Sequence, residues 1–304
     1  MKKIWGILLV LLLLCMTGCG SSPKSAQQAT PQKIELSVFA ALGLKDVLID
    51  IQKEYEAKHP DVKIIYNFAA TGVLQKQIGQ GAPADVFVTA AAKNMDDMVE
   101  QKLVIANTRR DIVSNDLVLI VNKESGLDLH SFADLANDEV KRVGIGAPET
   151  VPAGQYAIDV MKFLGIWDRV KEKAVQTKDV ITVRSYVETG NVEAGVVFYT
   201  VAVTSNKLKV VATAPKGSHP PIVFPGAVVA NSKQSQAAET FLDYLVSPEG
   251  MRVFQKYGFS PFIYLLFSGR NGRNVENQII LPVLLSLLHN ILLVFPAVIR
   301  GRCH

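Results

Sequence analysis

Three stretches of this chain place small or hydroxyl-bearing residues where an apolar run gives way to a helical pattern. They are Phe39-Ala40-Ala41-Leu42-Gly43-Leu44, Phe68-Ala69-Ala70-Thr71-Gly72-Val73 and Pro148-Glu149-Thr150-Val151-Pro152-Ala153-Gly154. The chemistry available at such places is anion binding. The first N–H groups of a helix have no partner within it, and the aligned peptide dipoles put partial positive charge at the same end. Side chains as small as these let a ligand approach that backbone closely. Three such ends aimed at one point could hold a dianion with no lysine or arginine in contact, because oriented dipoles supply the compensating field. Each stretch alone also has a plainer reading, since small residues at turns commonly serve tight geometry.

The other reactive residue types form no catalytic or metal-binding pattern. His59, His130, His219, His289 and His304 are scattered, and Cys303-His304 is a lone pair, so no set has metal-ligand spacing. No Gly-x-Ser-x-Gly elbow, phosphate-binding loop or dinucleotide fingerprint stands between a strand and a helix. Asp96, Asp97 and Glu100 read as the solvated face of a helix rather than an acid/base pair. The expectation is a binding protein with no cofactor, not an enzyme.

The elements that would position the three junctions are legible as an alternation. Apolar, β-rich runs at 34–40, 62–69, 85–89, 116–122, 143–146, 194–198, 208–212 and 223–230 are separated by helical patterns, which predicts an α/β fold of mostly parallel sheets flanked by helices. In the first helix Leu44, Val47, Leu48, Ile51 and Tyr55 recur at helical spacing with charged residues between them, and His59-Pro60-Asp61 ends it. Helices are also expected at 234–246 and 248–256, the second beginning at Ser247-Pro248.

The two ends differ from this body. Residues 1–18 follow a secretory plan, with Lys2 and Lys3 ahead of the apolar run 4–14. Met16-Thr17-Gly18-Cys19 then resembles the lipobox of bacterial lipoproteins, which implies a lipidated Cys19 and anchorage on the extracytoplasmic face of the cell membrane. Residues 19–32 are rich in Ser, Gln, Ala and Pro and read as a flexible tether. Of three cysteines, Cys15 falls in the signal, Cys19 at the lipid site and Cys303 near the C-terminus, so the body has no expected disulfide. The formal charge of +4 is also a property of the ends. Setting aside Lys2, Lys3 and the four arginines and one glutamate beyond residue 261 leaves −1 for residues 19–261, and no nucleic-acid-binding face is expected. Residues 262–304 break the pattern and contain an apolar stretch from Ile279 to Ile299, about long enough to span a membrane. A second anchor, an amphipathic or aggregation-prone tail and a shifted reading frame are the competing readings, the last being favoured.

The body resembles the periplasmic molybdate-binding protein family over about residues 33–261. The resemblance is carried by Val38-Phe39-Ala40-Ala41, Gly81-Ala82-Pro83-Ala84-Asp85-Val86-Phe87, Val151-Pro152-Ala153-Gly154, Tyr186-Val187-Glu188-Thr189-Gly190, Val210-Val211-Ala212-Thr213 and Lys256-Tyr257-Gly258-Phe259. It implies a two-lobed periplasmic binding protein of type II, with residues 33–115 and 224–261 forming one lobe and 116–223 the other, and the ligand held in the cleft. It further implies a monomeric receptor that captures molybdate or tungstate and delivers it to an ABC permease and its ATPase. The alternatives are a receptor for another tetrahedral oxyanion such as sulfate, and a non-transport sensor or interaction protein with a decayed site. The family's five anion contacts fall on Gly43, Thr71, Ala153, Val180 and Phe198. Thr71 keeps a hydroxyl, and Ala153 and Val180 would act through their backbones. Gly43 and Phe198 stand where the family has a serine and a tyrosine, and Tyr199 lies one place beyond.

Overall fold

Residues 33–262 are described in a computed structural model of the chain. The first strand, β1 (Ile34–Ala41), shows why its apolar run does not alternate cleanly. Leu36, Val38 and Ala40 belong to the main apolar core, while Phe39 belongs to a second cluster with Leu74, Phe87 and Met98. A strand covered on both faces needs apolar residues at successive positions. A 3-10 turn, Leu42–Leu44, leads into α1 (Lys45–Lys58). All five residues of its predicted apolar stripe, Leu44, Val47, Leu48, Ile51 and Tyr55, are buried. The helix stops at His59, whose φ of −122° and ψ of 71° lie outside the helical region, which a following proline disfavours.

In chain order there follow β2 (Val62–Ala69), α2 (Thr71–Gly79), β3 (Val86–Val88), α3 (Ala92–Glu100), β4 (Arg110–Ser114), β5 (Leu117–Asn122), β6 (Val143–Gly146), α4 (Pro152–Phe163) and the short α5 (Trp167–Val170). Then come β7 (Ala174–Thr177), α6 (Val180–Glu188), β8 (Ala194–Phe198), the short α7 (Tyr199–Ala202), β9 (Leu208–Thr213), β10 (Val223–Val228), α8 (Ser235–Val246), α9 (Pro248–Lys256) and β11 (Ser260–Pro261).

The strands form a six-stranded sheet ordered β11-β4-β10-β3-β1-β2 and a five-stranded sheet ordered β7-β6-β8-β5-β9. The α/β architecture is as predicted, but both sheets are mixed. Pairing is parallel between β1 and its neighbours β2 and β3, and between β6 and its neighbours β7 and β8. It is antiparallel wherever β10, β5 or β11 takes part. The parallel expectation therefore holds for the strand-helix-strand units and is corrected at the others. A helix returns the chain to the end it started from, whereas a strand arriving from elsewhere in the fold can enter from the opposite end.

The chain passes from the first sheet to the second between Ser114 and Leu117 and returns between Thr213 and Val223. The two passages touch, for the Asn115 N–H donates to the Ile222 carbonyl at 3.3 Å. Near the end of the described chain, α9 is fastened to α1 by Arg252–Glu54 at 3.1 Å and by Lys58–Glu249. Just beyond it, the Tyr257 hydroxyl donates to Asp50 at 2.6 Å. The expected signal, Cys19, the tether and the tail beyond Phe262 lie outside the described residues.

Candidate anion-binding site

The stretches singled out above fold as strand-to-helix junctions, and a fourth joins them. Helix α2 starts at Thr71 behind Ala70, α4 at Pro152 behind Val151, and neither preceding residue caps its helix with a side chain. The leading amides are thus left to other partners. Proline lacks an N–H, so Ala153 is the first donor that α4 presents. The fourth start is α6, where the Asp179 carboxylate accepts from the Thr182 N–H at 2.7 Å and leaves Val180 ahead of that cap. The first junction differs, since Gly43 lies in the 3-10 turn that precedes α1.

These ends enclose one small chamber. Ala41, Leu42, Gly43, Ala69, Ala70, Thr71 and Ala90 line it from the first sheet's side, and Val151, Pro152, Asp179, Val180 and Phe198 from the second's. The structure therefore brings Gly43, Thr71, Val180 and Phe198 around one space. Ala153 is fully buried and does not line the wall, lying next in sequence to Pro152, which does. The volume open to the centre of a water-sized sphere is ≈ 20 Å³, above the ~10–15 Å³ that one water needs. No lysine or arginine lines it, and Asp179, whose carboxylate caps α6, is its ionisable wall residue. No cluster suited to a metal ion is found among the described residues.

Thr71 is 1% exposed. Its hydroxyl oxygen accepts from the Ala90 N–H at 3.3 Å and lies 3.4 Å from the Thr89 hydroxyl. An oxygen that is already accepting retains its own proton to donate, and the chamber is the space beside it. Phe198 is 2% exposed and its ring meets Tyr156 at 6.4 Å and Phe224 at 5.3 Å, both edge-on. Burial, and secondly the charge of Asp159, push the Tyr156 hydroxyl up to about 12. Tyr199 does not line the chamber, for β8 ends at Phe198 and Tyr199 already begins α7. Its ring lies beside Gly258, where an added Cβ would be 3.3 Å from it, and its N–H donates to the Asp116 carbonyl at 2.8 Å. A larger cavity of ≈ 170 Å³ adjoins the chamber, and Gly43 lines both.

Four features of the site were not read from the sequence. Ala90 supplies the amide that orients Thr71, a role no side chain advertises. Asp179 followed by Val-Ile-Thr is a recognisable helix cap, and that signal could have located the fourth helix start. Gly154 belongs to the Val151-Pro152-Ala153-Gly154 run, yet its role is packing. A Cβ there would fall on the Gly146 carbonyl, so the first turn of α4 rests directly on β6. Gly72 is the fourth, and its N–H donates across to Thr150.

The profile of the bacterial extracellular solute-binding protein family matches residues 36–260. The chain is 41% identical over 247 residues to YvgL of Bacillus subtilis, named as an ABC transporter substrate-binding lipoprotein, covering 81% of this chain and 94% of that protein. It is 35% identical over 266 residues to the molybdate-binding protein ModA of Haemophilus influenzae, covering 86% of this chain and 99% of that one. The solved substrate-binding domain of a molybdenum ABC transporter from Clostridium difficile superposes with a TM-score of 0.62 at 38% identity, over 76% of this chain and all of that one.

Proposed function

The chain belongs to the bacterial extracellular solute-binding protein family, and from that premise we propose that it is the molybdate or tungstate receptor of an ABC importer. The observation that carries this reading is the chamber itself. Helix starts from both sheets face one small space with no cationic side chain in its wall, the field that suits one small dianion. The contacts would be the amide and hydroxyl of Thr71, the amides of Gly43, Ala153 and Val180, and the edge of Phe198. In the proposed cycle, residues 33–115 and 224–261 form one lobe and 116–223 the other. They close because only the closed form lets both donate to the same anion. The monomeric receptor, anchored outside the cell membrane through lipidated Cys19, then delivers its cargo to the permease and ATPase.

Sulfate is the alternative cargo, and it differs from molybdate chiefly in size, so cavity dimensions and the number of fixed donors would discriminate between them. Calorimetric titration with molybdate, tungstate, sulfate and phosphate is the test. Saturable one-to-one binding of the first two, tighter than that of the others, is the expected result. Binding of neither would sink the proposal, and a preference for sulfate would reassign the cargo.

A further inference from the structure

Among the contacts between the two sheets' halves, one is made by backbone alone and tolerates no side chain. Gly72 is the second residue of α2, on the first sheet's side, and Thr150 precedes α4 on the second's. The Gly72 N–H donates to the Thr150 carbonyl at 2.9 Å. A Cβ on Gly72 would lie 2.8 Å from Thr150 Cα, 3.2 Å from Thr150 Cβ and 3.3 Å from the Glu149 carbonyl oxygen. Two of those three atoms are backbone, so no rotamer change relieves the clash.

The acceptor is rigidly presented. The Thr150 and Val151 N–H groups both donate to the Ala147 carbonyl, at 3.1 and 2.8 Å, and the Ala147 N–H donates to the Thr177 carbonyl at 2.8 Å. On both sides the contact is one residue from the chamber wall, next to Thr71 on one and Val151 on the other. Joining Gly72 to Thr150 therefore fixes how the start of α2 faces the start of α4. A leading amide of a helix has no partner within that helix, and this one is satisfied across the cleft.

We propose that Gly72 is a positioning residue for anion capture: its N–H bond to Thr150 registers the two halves in the holding arrangement, and its missing side chain lets them meet. This rests on the oxyanion reading above, and its test separates the two. In the full-length protein Gly72→Ala should leave molybdate association unchanged and speed release by roughly tenfold or more. Thr150→Ala, which keeps the carbonyl, should release at the wild-type rate. A wild-type release rate in Gly72→Ala overturns the proposal. Backbone amide exchange provides a second measurement in the unmutated protein. Exchange at Gly72 should slow when molybdate is added, and a rate indifferent to bound molybdate also overturns it. If none of the four oxyanions binds in calorimetry, the oxyanion reading fails alone. The latch is then decided by small-angle scattering of the free proteins, where Gly72→Ala must be more extended than wild type and equal dimensions refute the contact.

Discussion

Substituting Gly43 by serine would place a hydroxyl at the first junction, and the structure allows its effect to be worked out. An added Cβ would meet Val180 Cγ2 and Val201 Cγ2, each at 3.7 Å, which is ordinary van der Waals contact. Gly43 is also absent from the glycines with positive φ, so a side chain brings no backbone strain there. The hydroxyl is thus gained without a steric cost. A hydrogen bond to a charged group is worth about 1.5–3 kcal/mol, and tenfold in affinity corresponds to about 1.4 kcal/mol. Gly43→Ser should therefore tighten molybdate binding roughly 10- to 100-fold. Gly43→Ala separates the bond from the filling of space and should stay within about threefold of wild type, as a substitution that makes no new polar contact does. Calorimetric titration of the three proteins at one ionic strength is the assay. If serine and alanine variants bind equally, the position-43 hydroxyl does not reach the anion and the assignment of this wall is refuted.

Phe198→Tyr should likewise improve affinity, by roughly tenfold, and a loss would mean that the hydroxyl crowds Tyr156 or Phe224 instead of facing the ligand. Thr71→Ala should weaken binding by roughly tenfold or more while Thr71→Ser preserves it, measured by the same titration. Removing the α6 cap with Asp179→Ala should cost about 0.5–2 kcal/mol of stability, seen as a lower Tm of the free protein. Tyr257→Phe tests the pair that ties the end of α9 to α1. Hydrogen bonds from Lys53 and then Tyr257 hold the Asp50 carboxyl below its usual range, while the bond to Asp50, then burial, push the Tyr257 hydroxyl up to about 12. A lowered carboxyl stabilises the fold above its unfolded pKa and ceases to as pH falls through its folded value. A raised phenol stabilises below its unfolded value and ceases to as pH rises toward 12. The deficit of Tyr257→Phe, about 1 kcal/mol, should be flat in mid-range and shrink at both extremes, by thermal melts across pH.

How far the sequence could be read depended on whether side chains or backbone carried the information. The α1 stripe ending at Tyr55 and the stop at His59-Pro60 were legible because burial and φ restriction are properties of the residues themselves. Strand β4, Arg110-Asp111-Ile112-Val113-Ser114, was not foreseen. Its charged start is drawn into salt bridges, Arg109 with Asp111 and Arg110 with Asp243, and its pairing with β10 joins segments more than a hundred residues apart. Strand β7 at the rim of the second sheet and the two-residue β11 were equally silent, since edge pairing requires little of composition. In the site, Thr71 announced itself by its hydroxyl. Ala90 and Gly72 did not, because what they contribute is an N–H that every residue other than proline possesses.

A chamber whose proposed contacts are mostly main-chain donors should have an unusual genetic signature. Ala153→Gly or Val180→Ala would leave the N–H in place, so side-chain truncation should report the two positions as dispensable even where their amides hold the anion as proposed. Loss-of-function variants should instead gather at Gly72 and Gly154, where any side chain collides with backbone. Selectivity should correspondingly change through displacement of helix starts and adjustment of the wall at positions 43 and 198, not through exchange of one functional group for another. On the proposed contacts, the most consequential positions should be those with the least side chain to lose.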